Sequence, residues 1–140
     1  MAIHYCHPCA AEERRLRKPP DGDLIGTTYQ LEKYIKHTAP DPKYPVQSVF
    51  STPSTQEYAS YIIETMAAGS LEVDDRGRSN VIWAAGKETG FLFKQGCLIQ
   101  PQDAVKVVLS SSTGEIHAFP ANSTGFLGVK CTRCGGPAVS

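Results

Sequence analysis

The sequence has no long apolar run and no excess of charge of one sign, and each absence narrows the classes of protein to which it can belong. No stretch approaches the roughly 18 to 20 apolar residues that a membrane-spanning helix needs. The first residues do not combine a basic region with an apolar stretch, so we expect no export by the general route. The 14 lysines and arginines balance 14 aspartates and glutamates. The chain as a whole therefore lacks the positive field of a typical nucleic-acid-binding protein, although local patches are still allowed.

The five cysteines are an odd number, and they are grouped rather than spread along the chain. Cys6 and Cys9 form one Cys-x-x-Cys pair, Cys131 and Cys134 form another, and Cys97 stands alone. This grouping favours metal ligation in a reducing compartment over a disulfide framework, so we predict a cytoplasmic location. Four thiolates in two short knuckles are the ligand set of a tetrahedral zinc site.

A zinc ion bound by both cysteine pairs would have no open position for a catalytic water, so its predicted role is structural. The metal would join the two ends of the chain, and its binding energy would become folding energy. Gly135 and Gly136 supply the backbone freedom that the second knuckle needs. Cys97 lies between Gly96 and Leu98, and we predict that it is a buried thiol without a function.

Two alternatives to a shared zinc site stay open. Each Cys-x-x-Cys pair could be a redox pair, although neither lies in the strand–helix–strand context of that motif. Each pair could also hold its own metal, with His4 or His7 as an additional ligand of the first pair.

Length and composition indicate an ordinary soluble globular chain. Of its 140 residues, 41% are apolar and 20% are charged, and there is no internal repeat or low-complexity tract. We predict a single domain over residues 1–140. In it, residues 1–22 form the first zinc knuckle and a basic arm, residues 23–121 form the core, and residues 122–140 form the second knuckle. The basic arm, residues 10–18, is interpreted as solvated, with a phosphate-binding patch as the alternative.

Helix signals are concentrated in the first half of the chain. Capping-box spacing at Thr27 and Gln30 predicts a helix over residues 28–37, with Leu31, Tyr34 and Ile35 on one face. Three prolines then exclude regular structure up to a brief extended segment, residues 46–50.

A second helix is predicted to start at the capping box of Ser54 and Glu57. It is predicted to end at Gly69, where we expect a left-handed residue. Its apolar residues recur at helical spacing, and they are Tyr58, Tyr61, Ile62 and Met66.

From residue 71 onward the apolar period changes to two, which is typical of strands. The predicted strands are residues 71–74, 80–85, 91–94, 104–110 and 115–119, separated by turns. Helices followed by hairpin-linked strands describe an α+β fold. We predict N-terminal helices packed on a mostly antiparallel sheet of four or five strands, with the termini joined by a zinc-ribbon-like site.

Short motifs between residues 28 and 121 resemble, in their order, the toxin RNase domains of the barnase/EndoU/colicin type. These domains are small nuclease modules of bacterial polymorphic toxin systems. The motifs are Lys33-Tyr34-Ile35-Lys36-His37-Thr38, Gly77-Arg78, Val81-Ile82-Trp83, Thr89-Gly90 and Thr113-Gly114-Glu115-Ile116-His117-Ala118-Phe119-Pro120. The resemblance implies RNA as the substrate and a cognate immunity protein as the partner. Both cysteine pairs lie outside the matching residues.

The chemistry of RNA cleavage points to two of the four histidines. Transphosphorylation needs a base for the 2′-hydroxyl proton, an acid for the leaving 5′-oxygen, and a cation or hydrogen-bond donors at the phosphate. Histidine suits the first two tasks because its unperturbed pKa is about 6.5. His4 and His7 belong to the metal end, so we predict His37 as the base and His117 as the acid or as an orienting group.

Candidate phosphate ligands flank these histidines. Lys36 is next to His37, and Lys33 lies one helical turn before it. Thr113 belongs to a hydroxyl cluster near His117. Each histidine also has a structural interpretation, His37 as a cation at a helix C-terminus and His117 as an ordinary exposed strand residue.

Two further residues are candidates for substrate binding. Trp83 is a core residue by default and a base-stacking platform if the sheet face is open. Arg78 is a turn cation by default and a phosphate clamp in a nuclease. The leading hypothesis is a small ribonuclease-like domain of the toxin type with a structural zinc. One alternative is a non-enzymatic zinc-stapled module that binds a protein or a nucleic acid, and another is a catalytically inactive derivative of the same fold that retains only binding.

Overall fold

A computed structural model describes residues 2–13, 34–76, 78–109 and 116–139 of the chain. These residues form an α+β fold with two antiparallel sheets, which confirms the predicted fold class. The helices are α1 (His7–Glu12) and α2 (Thr55–Ala68), followed late in the chain by a 3₁₀ turn, Ser123–Phe126. The strands are β1 (Ile3–Tyr5), β2 (Val46–Phe50), β3 (Ser70–Val73), β4 (Ser79–Ala84), β5 (Gly90–Lys94), β6 (Cys97–Gln102), β7 (Ala104–Leu109) and β8 (Ile116–Ala121).

The two sheets divide the strands unequally. Five strands form the larger sheet in the order β1-β3-β4-β7-β8, and three form the smaller sheet in the order β2-β5-β6. The sequence predicted one sheet because consecutive strands usually pair. In the structure β4 pairs with β7 instead of β5. The β5–β6 hairpin is therefore inserted between two neighbouring strands of the larger sheet, and it pairs with β2.

Helix α2 is the element that the sequence predicts best. The Ser54 side chain accepts a hydrogen bond from the Glu57 backbone N–H at 3.1 Å, as the capping box requires. The four apolar residues at helical spacing are all buried. They pack against a row of buried residues that runs across the larger sheet through directly paired positions. That row is Tyr5, Leu71, Val81, Val107 and Ala118.

Gly69 ends α2, but the predicted left-handed conformation is wrong. Its φ of −77° and ψ of 162° are those of extended backbone, so the glycine is needed for space rather than for a positive φ. A Cβ at this position would lie 2.5 Å from the Thr65 carbonyl oxygen and 2.6 Å from Val81 Cγ1. The chain therefore passes from α2 into β3 with its backbone in close contact with α2 and with the neighbouring strand β4.

Replacing Gly69 by alanine is expected to lower the free energy of unfolding by about 1–3 kcal/mol, because backbone atoms must move to admit the methyl group. Urea denaturation measures the change. Gly125→Ala is the matched control, since a Cβ there would meet no atom within 4 Å. Equal unfolding midpoints for the two variants would contradict the close approach.

Strand β6 was missing from the sequence-based prediction, and the environment predicted for Cys97 is wrong. Residues 97–102 include Pro101 and show no apolar alternation, so the sequence does not indicate a strand here. Proline is nevertheless tolerated in an edge strand, which is the position that β6 occupies. Cys97 starts this strand and is exposed. Leu98 and Ile99 beside it are also more than half exposed. The apolar neighbours in the sequence therefore do not bury the thiol.

Most of the predicted first helix, including Leu31, lies outside the described residues. Tyr34 and Ile35, which the sequence predicts on one face of this helix, are helical, but they differ in burial. Tyr34 is buried, whereas Ile35 is 65% exposed. Among the described helices, none is long and apolar enough to cross a membrane.

Candidate metal centre and candidate active site

The four paired cysteines come together although 128 positions separate Cys6 from Cys134. Their Sγ atoms all lie within 4.8 Å of one another, close enough to bind one metal ion. The Cys6 and Cys134 sulfurs are 3.8 Å apart. A Zn–S bond of about 2.3 Å in a tetrahedral site requires sulfurs separated by about 3.8 Å. The donor set and its spacing thus fit a four-thiolate site shared by both ends of the chain.

The first knuckle is formed by the start of a short helix. Cys6 occupies the N-cap of α1 in extended conformation, and Pro8 follows in the first turn. The Ala10 N–H donates to the Cys6 carbonyl at 3.0 Å. This turn returns Cys9 to the same side as Cys6, and Cys9 is buried.

The second knuckle is a tight turn held by its own backbone. The Cys131 N–H donates to the Gly136 carbonyl at 2.7 Å, and the Gly135 N–H donates to the Cys131 carbonyl at 2.9 Å. Gly135 has a φ of +76°, so the predicted need for glycine here is confirmed. The Gly136 N–H also points at Cys134 Sγ from 3.4 Å.

Protein contacts also hold the two ends together. The Thr132 N–H donates to the His4 carbonyl at 2.8 Å. The Arg133 side chain donates to the Cys9 carbonyl at 3.3 Å and lies 3.1 Å from a carboxylate oxygen of Glu12. The second knuckle is therefore docked on β1 and α1 by groups other than the thiols.

The two histidines near the first knuckle are engaged elsewhere. His4 Nε2 lies 3.0 Å from a Glu72 carboxylate oxygen, and His7 Nδ1 lies 3.0 Å from the Gly69 carbonyl oxygen. Among the described residues, the candidate metal cluster contains only Cys6, Cys9, Cys131 and Cys134. This arrangement favours a single shared site over two separate sites completed by histidine.

The thiols of the cluster differ in acidity. Burial raises the pKa of Cys131, but backbone N–H groups, first that of Cys134 and then that of Cys6, outweigh burial and lower it to about 6. A hydrogen bond with the Cys6 thiol and burial raise the pKa of Cys9. A metal must displace the proton of Cys9 when it binds. The affinity of the site for the metal therefore falls as the pH is lowered.

A second site lies in a cleft of about 350 Å³. It is formed where β2 of the smaller sheet and the segment after Ile35 meet β8, one of the two edge strands of the larger sheet. Three of the predicted catalytic residues line this cleft together, and they are Lys36, His37 and His117. The other lining residues are Tyr44, Val46, Gln47, Ser48 and Phe119.

His37 is held in a defined orientation. Its Nδ1 lies 2.5 Å from the Ser48 carbonyl oxygen. A carbonyl can only accept, so Nδ1 carries the proton and Nε2 of the neutral ring is left as the acceptor. Burial lowers the pKa of His37. The hydrogen bond with the Ser48 carbonyl raises it in part and the nearby Lys36 charge lowers it, so the net shift is downward. The imidazole is therefore neutral at pH 7, which argues against the alternative role of a helix-terminal cation.

His117 and Phe119 project from the same side of β8, because alternate residues of a strand share a face. The neighbouring Ala118 points the other way, into the core. The Phe119 ring lies 5.8 Å from the His117 ring centroid and stacks on His37 at 5.5 Å with an interplanar angle of 23°. Phe119 thus contacts both imidazoles.

The remaining predicted site residues lie elsewhere or are not described. Arg78 is exposed in the turn between β3 and β4, where its N–H donates to Asp74. Trp83 is half-buried on β4 and packs against the core. Neither lines the cleft. Lys33 and Thr113 lie outside the described residues.

The sequence analysis did not single out Ser48 or Tyr44. The Ser48 contribution is a backbone carbonyl, and no side-chain pattern reveals which carbonyl will face an imidazole. Tyr44 lies in the proline-rich segment that precedes β2, a segment that has no periodicity. The only sequence feature that could have drawn attention to Tyr44 is an aromatic residue in a segment with three prolines.

His37 is expected to make the free energy of unfolding decrease as the pH is lowered through about 6.5. Its folded-state pKa is below that of the unfolded chain, so lowering the pH through the unfolded value of about 6.5 protonates the unfolded state first. Stability then falls by at most about 1.4 kcal/mol per pH unit from this group. Urea denaturation at several pH values measures the free energy of unfolding of the parent and of His37→Gln. We expect this free energy to depend less steeply on pH in the variant. Identical slopes would contradict the prediction.

Comparisons of the chain with protein-family models, with curated proteins and with solved structures found no match.

Proposed function

We propose that the chain is a small endoribonuclease that cleaves RNA by transphosphorylation in the cleft of His37 and His117. The observation that carries this proposal is that the cleft gathers Lys36, His37 and His117 from distant parts of the sequence. Two imidazoles and a cation are the groups that this reaction needs. The resemblance of residues 28–121 to toxin RNase domains supports the same chemistry.

The environment of each histidine suggests its role. His37 is neutral at pH 7 with Nε2 as its acceptor atom, so it takes the proton of the 2′-hydroxyl. The 2′-oxygen then attacks phosphorus, and the bond from phosphorus to the 5′-oxygen breaks. His117 gives its proton to that leaving oxygen. The products are a 2′,3′-cyclic phosphate and a 5′-hydroxyl. Lys36 stabilises the negative charge that builds up on the phosphate.

We further propose that the ion of the four-cysteine site is a structural Zn²⁺. Four thiolates complete its coordination, so the metal has no position left for substrate. A four-thiolate site and an RNA substrate both support a proposed location in a cytoplasm, either that of the producing cell or that of a cell into which the protein is delivered. A toxin of this kind would be paired with a cognate immunity protein that blocks the cleft. Lys33 and Thr113 remain predicted phosphate ligands.

The test uses the zinc-loaded full chain and a mixed-sequence RNA. A matched substrate is the same oligonucleotide with 2′-deoxyribose throughout, which lacks the attacking group. We expect cleavage of the RNA alone, with 2′,3′-cyclic phosphate ends identified by mass spectrometry. Lys36→Ala should slow cleavage, and Lys130→Ala, which removes an exposed lysine outside the cleft, should not.

Two results would overturn the proposal. Cleavage of the deoxy substrate would mean that the 2′-hydroxyl is not the nucleophile. Intact RNA at high concentrations of folded, metal-loaded protein would exclude the enzyme. In that second case, retention of the RNA by the protein would favour the non-enzymatic zinc-stapled module.

A further inference from the structure

A second cleft adjoins the first one. Its volume is about 330 Å³, and it is formed by the loop that leads from Ile35 into β2. Lys36, Tyr44 and Gln47 line both clefts. A ligand that fills the first cleft can therefore continue into the second without leaving the protein surface. Together the two clefts have the size of an ordinary small-molecule site.

The loop that forms the second cleft is fixed by one buried side chain. Gln47 Nε2 donates to the Lys36 carbonyl at 2.5 Å and to the Ala39 carbonyl at 2.8 Å. Gln47 Oε1 accepts from the Asp41 N–H at 2.8 Å. The amide thus ties three points of a loop that has no regular structure of its own. A preorganised cleft of this kind loses little conformational entropy when a ligand binds.

The second cleft combines an aromatic ring with cations. Tyr44 is half-buried, and the Lys43 ammonium lies over its ring, 5.0 Å from the centroid, so a base that contacts the ring must displace this side chain or use the rest of the ring surface. Lys43 also lies 3.5 Å from a carboxylate oxygen of Asp41. Lys36, which lines both clefts, is exposed. A flat aromatic surface next to exposed ammonium groups is the combination with which proteins bind the bases and phosphates of single-stranded nucleic acids.

We propose that the second cleft is a nucleobase subsite, in which a base next to the scissile phosphate contacts the ring of Tyr44. The inference rests on the proposed ribonuclease function, since that function places a phosphate between His37 and His117. Tyr44 borders both clefts, so a base against its ring holds the phosphate of the same strand beside Lys36. Tyr44 is thus a binding residue that does not touch the reacting atoms.

The subsite can be tested without any cleavage. The probe is a fluorescein-labelled 2′-deoxy hexanucleotide of mixed sequence, which lacks the attacking hydroxyl, and the readout is its dissociation constant from fluorescence anisotropy. Tyr44→Ala is expected to weaken binding by about 5- to 150-fold, the loss typical of one base–aromatic contact. Tyr44→Phe should restore parent affinity because the ring, not the hydroxyl, contacts the base. Lys130→Ala, which removes an exposed lysine outside both clefts, should bind the probe as the parent does.

Kinetics with cleavable RNA provide a second readout. Tyr44→Ala should raise KM and leave kcat nearly unchanged, whereas His37→Ala should lower kcat. Equal probe affinities for Tyr44→Ala and the parent, or no binding by either, would overturn the subsite. Binding that depends on Tyr44 together with intact RNA would support the subsite and reject the catalytic proposal. The two ideas thus fail separately.

Discussion

Replacing Cys131 by serine is expected to abolish stoichiometric zinc binding and to lower the free energy of unfolding by on the order of 5 kcal/mol. A structural zinc site contributes about 10–16 kcal/mol of apparent binding free energy to folding, and the loss of one of four thiolates removes a large part of it. Cys131 is buried at the point where the second knuckle meets β1. A loss of this size is comparable to the net stability of about 5–15 kcal/mol typical of a domain.

Cys97→Ser is the matched control for this prediction. It removes the one cysteine outside the metal cluster, and that cysteine is exposed. Metal content by mass spectrometry under non-denaturing conditions should give one zinc per chain for the parent and for Cys97→Ser. Thermal unfolding followed by circular dichroism should show a large decrease in Tm for Cys131→Ser only. A Cys131→Ser protein that keeps one tightly bound zinc, or that melts like the control, would contradict a shared structural site.

The parts of the fold that the sequence predicts are those fixed by local rules. The capping box at Ser54 and the spacing of Tyr58, Ile62 and Met66 define α2, because a helix is determined by neighbours within one or two turns. The positions of β3, β4, β5, β7 and β8 also follow from local alternation, whereas β1 and β6 were not predicted. The pairing of β4 with β7 does not follow from local alternation, because it depends on how a distant hairpin is accommodated.

The metal cluster and the cleft differ in the same way. Two Cys-x-x-Cys pairs predict a metal site because the ligands are side chains and their short spacing is visible in the sequence. The cleft depends on the Ser48 carbonyl that orients His37 and on Gln47, which ties three points of a loop. These groups act through tertiary contacts, and no spacing in the sequence encodes them. Sequence reasoning could name the two histidines but not the groups that orient and preorganise them.

His37→Ala and His117→Ala are each expected to slow RNA cleavage by about 10²- to 10⁴-fold, the contribution of one general base or acid. The pH dependence separates their roles. The base must be neutral, and burial lowers the pKa of His37, so kcat/KM for the parent should fall only as the pH drops below about 6.5. The acid must be protonated, so the alkaline decrease should belong to His117.

His37→Ala should lose the acidic limb of the pH–rate profile and keep the alkaline one, and His117→Ala should show the reverse. Added imidazole should partly restore His37→Ala, because the substitution leaves space beside Phe119 where the ring had stacked. His4→Gln is the control, since it keeps a hydrogen-bond donor for Glu72 and lies outside the cleft. His4→Gln should cleave RNA at the rate of the parent and with the same pH profile. Retention of both limbs in either cleft variant would mean that the limbs report other groups, and the assignment of base and acid would then be wrong.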